Sequence, residues 1–234
     1  KITARGLRNH GIKAVAPGNP MMDGITKLEC PNYLEQHRRL ILLCGSRLPE
    51  AYQNLEKLLI AIDFIQISSP IAVFIPLNSS SMSTKVESIL IELGFKPTHE
   101  SITEIGISGI WKKESLLILI GFNQFYTWAN WGEVGVANAG TATEQLVGLG
   151  IPCVSLPGKG PQFNFNFAKR QSRLLGGAVA IAKGYQALAK RVEFLLNSDF
   201  DRHAIGLRGS KRMGEVGGSH SLALIISTHL SQRS

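Results

Sequence analysis

Short apolar runs alternate along the chain with longer stretches whose apolar residues recur every three or four positions. Arg39–Cys44, Ile71–Pro76, Ile107–Lys113, Leu116–Gly121, Glu133–Ala137, Cys153–Leu156 and Ala178–Ile181 read as strands, mostly buried on both faces. Between them, Pro49–Ile65, Ser83–Leu93, a short aromatic stretch over Gln124–Asn130, Thr143–Leu149, Phe165–Leu175 and Tyr185–Leu196 read as helices. Gly94 is placed to stop the second of these helices. This alternation predicts an α/β fold, a doubly wound, Rossmann-like parallel sheet covered on both faces. The two ends read differently. Ala4–His10 and Ile12–Ala16 suggest a helix and a strand finishing an earlier domain, with Pro17–Gly24 as a linker and a last helix over Leu222–Leu230.

Ligands of such sheets bind outside the carboxyl ends of the strands, where the strand order reverses. That directs attention to the loops after Cys44, Ala137 and Leu156, all of which carry glycine. In Gly45-Ser46-Arg47, a helix opens directly after a strand. Its free amides and dipole favour an anion, and a guanidinium can grip phosphate oxygens. The same residues also suit a serine-capped helix with a surface arginine.

Gly140-Thr141-Ala142-Thr143-Glu144-Gln145 spells a capping box from Thr141 to Glu144. It equally suits a nucleotide, since small residues admit the ligand to the backbone and a carboxylate accepts from ribose hydroxyls. The third loop, Leu156 to Asn164, is glycine-rich and carries Lys159. It lacks the ending of a Walker A motif, while Gln162 and Asn164 could bond sugar hydroxyls.

Charge and composition narrow the classes. The chain has 234 residues, 44% of them hydrophobic and only 18% charged, which suits one well-packed core. Lysine and arginine balance aspartate and glutamate at 13 each over residues 1–158, whereas residues 159–234 hold 12 against 4. A basic last third suits an anionic partner, a diphosphate or a membrane surface. Trp128 and Trp131 lie outside that region, so stacking and charge are not interleaved and nucleic acid is not expected. Cys30, Cys44 and Cys153 are odd in number and widely spaced, which argues against a disulfide framework and for a reducing compartment. Asp199-Phe200-Asp201 matches a metal-binding D-x-D, but its place after a helix favours capping of the next one.

Taken as a set, Gly18–Gly24, Leu42–Arg47 with Pro49-Glu50-Ala51, Ala139–Gln145, Leu156–Gln162, and Arg212–Glu215 with Gly217-Gly218-Ser219 resemble the lipid-A-disaccharide-synthase-related glycosyltransferases. Cys44 departs from that pattern, in which a proline precedes the glycine. The resemblance implies the carboxyl-terminal, donor-binding domain of a GT-B enzyme. Residues 1–24 would end the acceptor domain and its linker, 25–212 form the donor domain, and 213–234 a helix packing back toward the acceptor domain. The implied donor site is Gly45, Ser46, Arg47, Gly140, Thr141, Ala142, Thr143, Glu144, Gln145 and Gln162. Ser46 and Arg47 would meet the diphosphate, Thr141 and Thr143 the phosphates, Glu144 the ribose and Gln162 the sugar.

The expected activity is that of a hexosyltransferase moving a sugar from a UDP-sugar, of the UDP-N-acetylglucosamine type, to a lipid-linked or sugar acceptor. No metal or other cofactor is expected. The catalytic base would lie in the acceptor domain, so this chain alone would be inactive. The expected location is cytoplasmic, peripheral on the inner face of a membrane. Two other readings stand beside it, a UDP-sugar 2-epimerase of similar fold and a non-catalytic module docking on anionic membrane.

Overall fold

The computed structural model describes residues 2–25, 29–98 and 106–231; Lys1 and Ser234, the outer bounds of the expected domains, lie outside them. Eight strands of the described residues form one sheet: β1 (Arg38–Leu43), β2 (Ile71–Leu77), β3 (Lys96–Pro97), β4 (Gly109–Lys113), β5 (Leu116–Phe122), β6 (Val134–Ala137), β7 (Cys153–Ser155) and β8 (Val179–Ile181). Their spatial order is β3-β4-β5-β2-β1-β6-β7-β8. The six strands from β5 to β8 are parallel and run in the order 3-2-1-4-5-6 when numbered along the chain. This is the doubly wound Rossmann order, and it reverses between β1 and β6.

The sheet is not wholly parallel. β4 pairs antiparallel with β5, and β3 antiparallel with β4. Only Glu114 and Ser115 separate β4 from β5, which permits a hairpin and no crossover. Glu114 takes a positive φ of 50° to make the turn.

The central strands are sealed on both faces. Leu40, Ile41 and Leu42 of β1, Val73 and Ile75 of β2, and Ile118 and Leu119 of β5 are wholly buried. Helix α2 (Glu50–Asp63) covers one face through Ala51, Leu55, Leu58, Leu59 and Ile62, an apolar stripe of helical period. Each fully buried leucine or isoleucine contributes roughly 1.5–3 kcal/mol. Helix α3 (Ser83–Glu92) follows β2, with Gly94 just beyond its end at φ 84°. The aromatic stretch forms α4 (Phe125–Trp128) and a 3₁₀ turn that bury Trp128 and Trp131 against Phe74.

Helices α5 (Thr141–Gly148), α6 (Phe165–Leu174), α7 (Tyr185–Asn197) and α8 (Asp199–Met213) complete the layers. Two glycines let α8 approach very closely. A Cβ on Gly206 would stand 1.9 Å from the Gly150 carbonyl oxygen, and one on Gly209 2.4 Å from Val147. Ser198 caps α8, accepting from the Asp201 amide while donating to its carboxylate. Asp199 pairs with Arg202 at 2.7 Å, so both acids of the D-x-D are engaged at the amino ends of the strands, beside Arg38.

Helix α1 (Ile2–Asn9) opens the chain, but Ile12–Ala16 pairs with no strand among the described residues. Among the described residues the expected strand finds no sheet partner. Ile12 and Val15 instead share an apolar groove with Ile225 and Ile226 of the last helix, α9 (Gly218–Ser231). The linker is firmly held. Asn19 donates to the Met213 carbonyl, and the Asp23 carboxylate accepts from the Gly217 and Ser219 amides. A hydrogen bond from the Ser219 side chain, with those amides, holds Asp23 below the ordinary carboxylate range. The Gly18–Gly24 and Gly214–Ser219 stretches, far apart in sequence, are therefore one structural unit.

Candidate functional site

A cavity of about 580 Å³ opens at the carboxyl ends of β1, β2 and β6, across the point where strand order reverses. Its framework is a buried polar network joining three loops. Asn138, directly after β6, donates through Nδ2 to the Leu156 carbonyl at 2.7 Å and to Asn54 Oδ1 at 3.2 Å. Its Oδ1 accepts from the Leu156 amide at 3.0 Å. Asn54, on the buried face of α2, donates to the Cys44 carbonyl at 3.1 Å. Ser155 donates to the Ala137 carbonyl at 2.7 Å. The loops after β1, β6 and β7 are thus locked by side chains almost wholly out of solvent.

The first loop leaves β1 through Gly45, at φ 90°, where a Cβ would press the Asn138 carbonyl oxygen at 3.2 Å. Ser46 and Arg47 are exposed, and neither side chain bonds any described residue. Glu50, in the first turn of α2, reaches across to the third loop. Its two carboxylate oxygens accept from the Phe163 amide at 2.9 Å and the Gln162 amide at 3.2 Å. A side chain on Gly160 would collide with that carboxylate at 2.6 Å. This grip puts Gln162 on the cavity wall, while Lys159 of the same loop is not part of it.

The second loop settles the competition over its capping box. Helix α5 begins at Thr141 with Gly140 as its cap residue, and no side chain caps it. Thr141 stands at the first helical position, one residue too late to cap. Its hydroxyl and the first free amides of α5 are left for the cavity.

Gly45, Ser46, Arg47, Gly140, Thr141, Ala142, Glu144, Gln145 and Gln162 all line the cavity. Thr143 does not. It is fully buried, and its hydroxyl bonds back to the Ala139 carbonyl at 2.7 Å. Thr143 was expected to meet the phosphates; its side chain faces away from the cavity, because the third helical position turns inward against the sheet. Gln145 lines the wall with its donor already committed to the Met21 carbonyl at 2.7 Å. That bond couples the linker to the site helix.

Glu144 is half-buried, and desolvation raises its pKa against a smaller opposing effect from a hydrogen bond with Gln171. Cys44 is buried directly beneath the first loop, its thiol pushed up to about 12 by burial. It serves as packing in the place of the proline.

The sequence did not single out the far wall, where Pro76 stands near the end of β2, Asn78 just beyond it, and Phe125 and Tyr126 open α4. The two aromatic rings meet edge to face at 5.5 Å, and Tyr126 is half exposed. Asn54 and Gln171 were also missed, while Asn138, which opens the second loop, had been given no role of its own. Asn54 and Gln171 carry a readable signal, since each puts an amide where its helix otherwise presents apolar residues to the core.

A cavity at the switch point of a doubly wound sheet with an antiparallel edge defines the class: a Rossmann-like domain of the GT-B type. No protein-family model and no curated protein matches the chain. Solved structures match its fold at low identity. A putative UDP-N-acetylglucosamine 2-epimerase from Listeria monocytogenes is 13% identical with a TM-score of 0.65, over 99% of this chain and 58% of the other. S. aureus MnaA, solved with UDP, is 14% identical with a TM-score of 0.60, over 97% of this chain and 57% of that one. The carboxyl-terminal CMP-Kdo-binding domain of WaaA from Acinetobacter baumannii is 15% identical with a TM-score of 0.53, over 78% of this chain and 92% of that domain. The chain thus spans somewhat over half the length of the first two. No helix of the described residues is long and apolar enough to cross a membrane.

Proposed function

We propose that this chain is the nucleotide-sugar-binding half of a GT-B hexosyltransferase acting on a UDP-sugar. The observation that carries this reading is convergence. The amino ends of α2 and α5, the unengaged Arg47 and the half-buried Glu144 all meet one cavity at the sheet's switch point. The free amides at the start of α5 and a guanidinium suit a diphosphate, and a carboxylate acceptor suits a ribose diol. The edge-to-face pair Phe125–Tyr126 offers an apolar wall for a base.

In this reading the diphosphate lies between Ser46, Arg47 and the Thr141 and Ala142 amides, the ribose bonds Glu144, and the sugar lies toward Gln162. As the sugar leaves, charge grows on the diphosphate, and the fixed α5 amides together with Arg47 stabilise it. Residues 1–24 and 213–234 join a preceding acceptor domain that supplies the catalytic base. Residues 25–212 hold the donor, so this chain alone binds and does not transfer. A lipid-linked acceptor, as in lipid-A-disaccharide-synthase-type enzymes, and work at an anionic membrane face in the cytoplasm complete the proposal. The cations of residues 159–234 support that last part.

The test is a thermal-shift series with UDP and UDP-N-acetylglucosamine, followed by product analysis on a longer polypeptide that includes a second domain. Stabilisation by both ligands and a new glycosidic product are expected. No stabilisation at millimolar ligand sinks the donor reading. An epimerised free nucleotide sugar as product would replace transfer by 2-epimerisation on the same cavity.

A further inference from the structure

Gln171 sits on α6, a helix that contributes only Phe167 to the cavity wall, and 3% of its surface meets solvent. Its Nε2 donates to two successive carbonyls of the turn before α5, Ala139 at 3.2 Å and Gly140 at 3.1 Å. Its Oε1 is buried with no hydrogen-bond partner. Turning the amide over would set that oxygen against both carbonyls, so the orientation is fixed by the turn. A packing role alone is filled better by an apolar side chain, which strands no polar atom.

The turn has reason to need holding. Gly140 has no Cβ to resist rotation of its peptide planes, and it stands at φ −86°, ψ −97°, outside the helical and extended regions. If those planes rotate, carbonyl oxygens replace amides at the cavity and repel an anion. In the structure both oxygens are tied back. Ala139 O accepts from Gln171 and the Thr143 hydroxyl, and Gly140 O from Gln171 and the Glu144 amide.

We propose that Gln171 is a positioning residue of this site, holding the Ala139–Gly140 carbonyls away from the cavity so that the α5 amides face a diphosphate. The inference rests on the donor-site reading and adds to it a residue outside every loop the sequence singled out. It acts through the backbone of that turn and through its hydrogen bond to Glu144, touching no ligand.

The test uses the whole chain and UDP, with affinity measured by calorimetry and stability by thermal unfolding. Gln171→Met keeps the volume nearly constant while removing both the two donors and the stranded oxygen. It should leave the unfolding midpoint unchanged or raised, yet weaken UDP by about tenfold. Gln171→Glu should bind poorly at neutral pH, where a carboxylate faces two carbonyls and Glu144. Relative to the parent chain at the same pH it should recover toward pH 5, as its protonated carboxyl regains one donor. The Met variant should show no such recovery.

UDP affinity within twofold of the parent in the Met variant overturns the proposal, as does loss in the Glu variant with no recovery on acidification. If the Glu variant does not fold, the Met comparison decides alone. If the Met variant also loses its fold, Gln171 is a core-packing residue and the proposal falls. Failure of the parent chain to bind UDP is a separate outcome, which removes the donor reading itself.

Discussion

Replacing Asn138 by alanine removes the residue that ties the loops after β1, β6 and β7 together. Three hydrogen bonds disappear, two to the Leu156 backbone and one to Asn54. The side chain is only 2% exposed, so the groups left behind cannot easily turn to bulk water. A buried polar group without a partner costs about 1–3 kcal/mol. With the Leu156 amide, the Leu156 carbonyl and Asn54 Oδ1 all stranded, and some water entering from the cavity, a net loss of about 3–5 kcal/mol is expected. For a chain of this size that is a fall of roughly 6–20 °C in unfolding midpoint. Urea unfolding should show the same loss as a lower midpoint at constant slope. Asn138→Asp should fare no better, since it keeps the acceptor for Leu156 but turns a carboxylate on the carbonyl and on Asn54. A loss below about 1 kcal/mol in the alanine variant would show that the network does not hold the loops together.

Glu144→Gln separates stability from binding. Burial raises the Glu144 pKa above 4.5, so ionising it costs the folded state stability as pH rises through the raised value. The glutamine variant should be the more stable at pH 7, with the difference closing below pH 4.5, and should bind UDP more weakly; a lower midpoint at pH 7 would contradict this. Gly206→Ala pushes a methyl group onto the Gly150 carbonyl oxygen and should destabilise by about 3 kcal/mol or more, read by thermal unfolding. Cys44 and Cys153 are buried with thiols pushed up to about 12, so a thiol reagent at pH 8 should label neither before unfolding and both after it.

The parallel core was legible because its central strands, β1, β2 and β5, are β-branched or leucine-rich runs whose burial on both faces leaves no alternation to misread. The antiparallel edge was legible too and was passed over. Two residues between Lys113 and Leu116 cannot hold a crossover, so spacing alone requires a hairpin. Ile12–Ala16 shows the opposite failure. Its composition suits a strand, but a strand exists only where an edge accepts it, and that is decided by residues far away.

The site divides the same way. Glycine positions and the order of the loops pointed to the cavity, because a Rossmann sheet has one switch point. Side-chain direction within α5 was not legible. A shift of one residue in the helix start, from Thr141 as cap to Gly140, removes the capping box, frees Thr141 and Glu144 for the cavity and buries Thr143. At Ser198–Asp201 helix α8 does have a side-chain cap, at the place where the D-x-D was read as capping rather than as holding a metal. Asn54, Asn138 and Gln171 work across loops from different helices and strands, so their partners cannot be read from spacing.

The central claim is that the cavity between β1 and β6 receives a nucleoside diphosphate through Arg47 and the α5 amides. Isothermal titration of the chain with UDP, alongside Arg47→Ala, tests it most directly. Saturable one-to-one binding is expected, weakened about tenfold or more by the substitution while the unfolding midpoint without ligand stays put, because Arg47 is exposed and bonds no described residue. No heat of binding at millimolar UDP, or equal affinity in the two chains, would contradict it.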